Sequence, residues 1–231
     1  MADTSKIAAC WDALKALPVP DLRRLFADEP ARLADHVIEE SGLRFDFSKT
    51  HLTAQSLGSF IDLAQATDFA GRRAAMFAGE AINVTEGRAV EHTAERGEGK
   101  AESVATAAGH KARMRTLVDV IEAGALGDIR HVLHVGIGGS ALGPDLLIDA
   151  LARAGERYDV AIVSNVDGVA LEEAMDRFDP HRTLLVIASK TFTTTETMLN
   201  ANSAIDWMTQ AGVDDPYGQV IALTAAPDKA I

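Results

Sequence analysis

After Asp128 the sequence alternates between short apolar runs and amphipathic segments, and no other feature constrains the fold as strongly. Apolar runs of strand length separated by helical segments indicate a parallel sheet with helices on both faces. The predicted strands are 131–135, 160–163, 183–188 and 220–224, and the predicted helices are 144–154, 171–178 and 194–209. Sheets of this type bind ligands at the carboxyl ends of their strands, so we expect a functional site there.

The first 125 residues have a different pattern, which predicts helices joined by short turns. Apolar residues recur at helical spacing over 7–14, 23–34, 57–66 and 74–78, whereas 43–47 alternates like a short extended piece. A long amphipathic helix is predicted over 102–122, ended by Gly124 and Gly127. We therefore expect a helical N-terminal region, residues 1–125, followed by an α/β domain, residues 126–231. Because an open sheet normally continues after a fourth strand, we expect this domain to be incomplete at its C-terminal end.

The composition restricts the possible partners. With 22 basic and 34 acidic side chains the net charge is −12, which disfavours nucleic acids and anionic membranes and means that any anionic ligand needs a local binding device. Cys10 is the only cysteine, so an internal disulfide and a thiolate metal site are excluded. No apolar run reaches the roughly 18 residues of a membrane span, and the N-terminus does not resemble a signal peptide. We expect a cytoplasmic protein.

The first motif of chemical interest, Gly136 to Pro144, follows the first predicted strand. Positive φ angles at Gly138 and Gly139 would let a ligand approach the bare main chain, and Ser140 adds a hydroxyl. Pro144 suits the first turn of a helix, whose N–H groups attract anions. A tight turn without a ligand is one alternative. Another is a nucleotide site, because Gly136, Gly138 and Ala141 fit the degenerate dinucleotide fingerprint, although Asp167 lies farther than the usual interval of about 20 residues.

The second motif, Ser189 to Thr197, follows the third predicted strand and holds six hydroxyl groups and the Lys190 ammonium in nine residues. Hydroxyls, a positive charge and the N–H groups of a helix start are the donors that phosphate oxygens bind. Lys190 is also the only basic residue between Arg182 and Lys229. Thr193 and Glu196 have the spacing of a capping box. Capping alone leaves the other hydroxyls and Lys190 without a role, so the motif predicts phosphate or sulfate binding.

A third segment, Asn83 to His92, contains Arg88, which could reach an anion, and Glu86 and His92, which could transfer protons. A structural role is favoured for Arg88 and more strongly for His92. His131 and His134 flank a predicted strand, where a satisfied or edge histidine is favoured over a ligand. The seven histidines show no metal-ligand spacing, so no metal site is predicted.

Four segments, in this order, resemble the glucose-6-phosphate isomerase family. They are Ile82–Val90, Gly136–Pro144, Ser164–Gly168 and Ser189–Thr194. The resemblance begins near residue 45 and covers the N-terminal portion, less than half, of a typical member. It implies an α/β fold with flavodoxin-like parallel sheets flanked by helices, preceded here by the helical region. It also implies a homodimer that uses no cofactor.

The resemblance further implies that the chain binds the phosphate of glucose 6-phosphate or fructose 6-phosphate. By motif, the phosphate-binding residues are Gly139, Ser140, Ser189, Lys190, Thr191, Phe192, Thr193, Thr194 and Thr197. The implied reaction opens the sugar ring and moves a proton through an enediol, but no residue here matches the catalytic base. The glutamate, histidine and lysine of the reaction are expected beyond residue 231. Glu91 and Glu95 depart from the family pattern, which has apolar residues there.

Two other functions are considered. A sugar-phosphate-binding module without catalysis would keep the same phosphate motif and lack the downstream residues. A nicotinamide dehydrogenase would leave the Ser189–Thr197 motif without a role. The order of the four segments favours the isomerase.

Overall fold

The computed structural model describes residues 3–152 and 157–230 and divides into two compact units, with the boundary between His110 and Lys111. Both units are built mostly from helices and short strands, and several helix starts are capped by a side chain: those of Asp3, Asp21, Thr53 and Asp167. Among the described residues, no helix combines the length and the apolar character that crossing a membrane requires.

The described part of the first unit contains five helices, a two-stranded ribbon and the beginning of a sixth helix. These elements are α1 (Thr4–Ala16), α2 (Leu22–Asp28), α3 (Arg32–Asp35), β1 (Val37–Glu40), β2 (Leu43–Asp46), α4 (Ala54–Ala66), α5 (Phe69–Phe77) and α6 (Ala101–Glu122). Helix α1 packs against α4, and β1 pairs antiparallel with β2. A 3-10 turn, His92–Arg96, precedes α6, which ends two residues before Gly124 as predicted.

Two predictions for the first unit need correction. The helix expected over 23–34 is two helices, because Pro30 cannot donate a backbone hydrogen bond and forces the preceding Glu29 out of helical geometry, with φ −117° and ψ 79°. The extended piece near residue 43 has a partner strand, β1, that the sequence pattern did not indicate.

The second unit contains the predicted parallel sheet. Its further elements are β3 (His131–Gly136), α7 (Gly139–Ala152), β4 (Asp159–Val163), α8 (Gly168–Arg177), β5 (Thr183–Ala188), α9 (Thr195–Gln210) and β6 (Val220–Leu223). The four strands of this described sheet are parallel, in the order β4-β3-β5-β6. Each predicted strand is therefore confirmed to within a residue. The predicted helix 144–154 begins earlier, at Gly139, and its last two residues lie outside the described part of the chain.

The order of the strands determines which face of the sheet each connecting helix covers, because crossovers between parallel strands are right-handed. Chain progression from β3 leads first to β4 on one side and then to β5 and β6 on the other, so α7 and the pair α8 and α9 cover opposite faces. The main core lies on the α8 and α9 face, where Leu133 and Val135 of β3 and Leu185 and Ile187 of β5 are almost completely buried.

The amino ends of the central strands are held by ionic hydrogen bonds. Arg182, just before β5, donates to Asp128, just before β3, and Arg130 also pairs with Asp128. The hydrogen bond from Arg182 is the main reason that the pKa of Asp128 lies below its usual value. These contacts support the β3–β5 register, which determines what meets at the opposite, carboxyl edge.

Candidate phosphate-binding site

The two predicted phosphate motifs lie side by side at the carboxyl edge of the sheet. Gly136, the last residue of β3, is in register with Ala188, the last residue of β5. The glycine turn and the Ser189–Thr194 loop therefore leave the sheet from neighbouring strands. Between β3 and β5 the strand order also reverses direction, and such a switch point is where open α/β sheets form their ligand crevice.

The glycine turn changes direction sharply between β3 and α7. Gly138 has a φ of +56°, which glycine adopts at no steric cost. Gly139 does not have a positive φ, so that part of the prediction is wrong: a single left-handed residue is enough to start the helix. Gly139 is exposed and Ser140 is half-buried at the beginning of α7. Helix α7 therefore presents its first residues to the ligand edge.

Pro144 does not occupy the first turn of α7, contrary to the prediction, because the helix already begins at Gly139. The proline lies at the sixth helical position instead. His134 is a satisfied structural histidine as expected: its Nε2 lies 2.7 Å from the carbonyl oxygen of Ser140.

The Ser189–Thr194 loop is folded by its own hydroxyl groups. Ser189 is 2% exposed, and its Oγ shares a hydrogen bond of 3.0 Å with Oγ1 of Thr194. Oγ1 of Thr191 and Oγ1 of Thr193 share another, of 2.8 Å. The loop thus brings four hydroxyl groups together in two pairs before any ligand is considered. Lys190 lies exposed between Ser189 and Thr191.

The main chain of this loop is tied to the strand next to it. The N–H of Ser189 donates to the carbonyl of Leu223, and the carbonyl of Lys190 accepts from the N–H of Ala225 at 3.1 Å and from the hydroxyl of Thr224 at 3.2 Å. These bonds extend the β5–β6 pairing beyond the strands. The backbone that carries the Lys190 side chain is therefore held by the segment that follows β6.

Phe192 adopts a left-handed backbone with φ +53°, which is uncommon for a residue other than glycine. Its N–H donates to the carbonyl of Ser189, and its ring packs against the core of the second unit. The apolar contact of the ring holds the strained residue in place, and the resulting tight turn groups the flanking hydroxyls. Strain of this kind is concentrated at functional sites.

Helix α9 begins directly after the loop, with Thr194 as its N-cap residue. The predicted capping box is absent: no described side chain caps this helix start, and the Thr193 hydroxyl is bound to Thr191 instead. The capping box does not form because the Thr191 hydroxyl competes with the helix N–H groups for the Thr193 hydroxyl. Thr197, in the first turn, is 1% exposed, and among the described residues its hydroxyl has no hydrogen-bond partner.

Of the other candidate residues, Arg88 and Asp167 have structural contacts. In the first unit, Arg88 forms an ion pair with Glu86 and closes a tight backbone turn with Asn83, while His92 lies exposed at the start of a 3-10 turn. In the second unit, Asp167 caps α8 by accepting from the N–H of Val169, which gives it a role without a nucleotide. The described residues contain no cluster of histidine, cysteine or carboxylate side chains that could hold a metal ion.

One polar contact at the ligand edge was not predicted. Asn200 of α9 is buried, and its amide Nδ2 donates to the carbonyl of Asn165 at 2.7 Å. Asn165 follows β4, so this bond ties a third edge loop to the helix that begins at the phosphate motif. The only sequence signal would have been a polar residue on the buried face of α9, one turn after Thr197.

These features define a doubly wound α/β protein whose ligand edge is rich in hydroxyl groups. The solved structure of a glucose-6-phosphate isomerase from Chlamydia trachomatis has the same fold, with a TM-score of 0.80 over 97% of this chain and 45% of that chain, at 22% identity. The model of the phosphoglucose isomerase family matches residues 46–231, and the chain belongs to that family.

Curated relatives support this assignment. The chain is 61% identical over 223 residues to a glucose-6-phosphate isomerase of Rhizorhabdus wittichii and 58% identical over 230 residues to one of Zymomonas mobilis. These alignments cover 96% and 100% of this chain but 45% of each relative. The chain thus spans about half the length of the curated relatives it matches.

Proposed function

We propose that this chain is the phosphate-binding part of an isomerase that interconverts glucose 6-phosphate and fructose 6-phosphate. The observation that carries the proposal is the β3–β5 register, because it sets the turn that contains Gly139 and Ser140 and the loop from Ser189 to Thr194 at the ends of adjacent strands. The names of the relatives supply an isomerisation of glucose 6-phosphate. The family resemblance supplies fructose 6-phosphate as the other sugar.

The proposed role is to hold the substrate by the end that does not react. Hydroxyl groups, including that of Ser140, the N–H of Gly139, N–H groups at the start of α9 and the Lys190 ammonium would bind the phosphate. The N–H groups of Ser140 and Ala141 already donate to the carbonyls of Ile137 and Gly138. Binding energy from a remote phosphate can be used to orient the reacting carbons against a catalytic base. We assign no catalytic acid or base within this chain.

The compartment and assembly are proposed as well. A single cysteine and no possible internal disulfide fit a reducing cytoplasm. The family resemblance favours a homodimer.

The decisive experiment measures ligand binding by calorimetry with Lys190→Ala. Removing the charged donor is expected to weaken binding of glucose 6-phosphate and of inorganic phosphate by about tenfold or more, the typical effect of a charge-assisted hydrogen bond. Lys15→Ala is the matched control, since Lys15 is an exposed lysine on α1 in the first unit and is expected to leave both affinities unchanged.

Competition experiments complete this test. Inorganic phosphate is expected to displace glucose 6-phosphate and fructose 6-phosphate, because all three would use the same donors. NAD is expected not to displace them. Equal affinities of the wild type and Lys190→Ala, or displacement by NAD alone, would contradict the proposal.

A further inference from the structure

The imidazole of His134 is buried in the middle of the sheet and points to a residue of the candidate site. His134 lies on β3 and is 6% exposed, and its Nε2 is 2.7 Å from the carbonyl oxygen of Ser140. Because a carbonyl oxygen can only accept, Nε2 carries the proton and donates. The bond therefore runs from the central strand to the first turn of α7.

The Ser140 carbonyl needs a donor from outside the helix because of Pro144. In an α-helix the carbonyl of residue 140 accepts from the N–H of residue 144, and proline has no N–H. The proline ring also crowds the carbonyl four residues earlier. A buried carbonyl without a partner is costly, so the His134 donor replaces the one that the helix lacks.

Gly136 provides the space for the same contact. A Cβ added at Gly136 would lie 2.8 Å from the Ser140 carbonyl oxygen and 3.2 Å from the carbonyl oxygen of Ala188. Any side chain there would push the start of α7 away from β3. Gly136, His134 and Pro144 therefore all affect one atom, the Ser140 oxygen: Gly136 leaves space for it, His134 donates to it, and Pro144 does not.

We propose that His134 is a positioning residue for phosphate binding: its hydrogen bond to Ser140 fixes the first turn of α7, and with it the Gly139 and Ser140 donors, at the distance from β3 that the phosphate requires. This role rests on the proposed function. His134 itself does not touch the substrate.

His131 offers a matched control on the same strand. It lies three residues earlier and therefore on the opposite face of the sheet, where its ring stacks on Phe178 at a centroid distance of 4.7 Å. Its Nδ1 is buried and has no hydrogen-bond partner among the described residues. Replacing His131 disturbs the core of the same strand without changing any contact to Ser140.

The test compares His134→Leu, His134→Gln and His131→Leu by calorimetry with inorganic phosphate and by thermal unfolding. His134→Leu is expected to weaken phosphate binding by about five- to tenfold, in proportion to one buried hydrogen bond. His134→Gln, which keeps an N–H donor of similar reach, is expected to restore most of the affinity. His131→Leu removes both the ring stacked on Phe178 and the unpartnered Nδ1, so it is expected to leave the affinity unchanged whether the melting temperature rises or falls. Equal losses of affinity in His131→Leu and His134→Leu, or no rescue by glutamine, would overturn the proposal.

The Pro144→Ala variant gives a second and independent test. It can also be used if the single variant His134→Leu fails to fold. Alanine supplies the missing helical N–H to Ser140, so His134→Leu is expected to cost much less affinity in the Pro144→Ala background than in the wild type. Additive losses would show that His134 and Pro144 do not act on the same carbonyl.

If the wild-type chain binds no phosphate, the proposed function itself fails. If it binds phosphate and Lys190→Ala weakens that binding but His134→Leu does not, only this inference fails.

Discussion

Gly136 and Gly139 belong to one turn, yet the structure needs glycine at only one of them. Gly136 is buried between the Ser140 and Ala188 carbonyl oxygens, and both are backbone atoms that cannot rotate away. Around Gly139 a Cβ would meet nothing within 4 Å, and its φ is ordinary. The close approach of two backbone carbonyls is therefore the reason that position 136 requires glycine.

We expect Gly136→Ala to lower the free energy of unfolding by about 1–3 kcal/mol, as overpacking in a tight core does. Gly139→Ala is expected to change it by less than about 1 kcal/mol, because alanine fits a helical position without strain. Chemical denaturation of both variants measures the difference. Equal destabilisation by the two substitutions would show that the space around Gly136 is not limiting.

Helix α3 is anchored by a single buried side chain, that of Arg32. Arg32 is 1% exposed, and its guanidinium donates to the carbonyls of Ser48, Thr50 and Leu52 at 2.6 to 3.0 Å and to the Glu29 carboxylate at 2.6 Å. The planar group thus connects α3 to the loop between β2 and α4. Lysine cannot reproduce so many directed bonds.

Arg32→Leu is expected to destabilise the first unit by about 3–5 kcal/mol, because it leaves three carbonyls and one carboxylate without their donor. Arg32→Lys is expected to recover only part of this loss. Arg24→Leu, at an exposed position on α2, serves as the control and is expected to stay within about 0.5 kcal/mol of the wild type. Hydrogen exchange of amides in residues 47–53 locates the effect. Unchanged protection there in Arg32→Leu would contradict this role of Arg32.

Helices and strands can be predicted from the sequence where burial imposes a pattern of apolar residues. The strands β3 and β5 are largely buried on both faces, so they are continuous apolar runs that the sequence reveals. Strand β1 is short and mostly exposed and ends in Glu39 and Glu40, so only its pairing with β2 defines it. The sequence does not predict the start of α7 correctly, because proline is typical of a first turn. Here Pro144 lies deeper in the helix, and the His134 donor bonds the carbonyl that the proline cannot serve.

For the molecule as a whole, the surface of α7 is the most unusual feature. Four leucines in two pairs at helical spacing are between 61% and 68% exposed: Leu142 with Leu146, and Leu147 with Leu151. Exposed apolar patches of this kind mark contact surfaces or cause aggregation. The 231-residue chain is therefore expected to associate with itself in solution.

Light scattering and sedimentation of the double variant Leu142→Lys/Leu146→Lys test this expectation. The variant is expected to be more monodisperse than the wild type at equal concentration, because charge replaces part of the apolar patch. Leu199→Lys, on α9, is the control for adding charge at a single exposed leucine. A wild-type chain that remains monomeric at high concentration would show that the exposed leucines do not drive association.

The site illustrates how far prediction from sequence extends. Both motifs were recognisable because glycines and clustered hydroxyls at the ends of predicted strands are typical of anion binding, and the family model covers both of them. The internal arrangement was not recognisable: the hydroxyl pairs, the left-handed Phe192 and the bond from Asn200 to Asn165 depend on distances between residues far apart in the chain or on competition among near neighbours.

Local periodicity and residue chemistry are sufficient to predict the parallel sheet, the helical character of much of the first unit and the two motifs. Tertiary packing sets β3 and β5 next to each other, in register at Gly136 and Ala188. It also decided that His134 donates to the carbonyl that Pro144 leaves without a helical partner. Strand order and register are set by packing and crossover geometry across the whole sheet, and a hydrogen bond between a strand and a helix exists only after both have been placed.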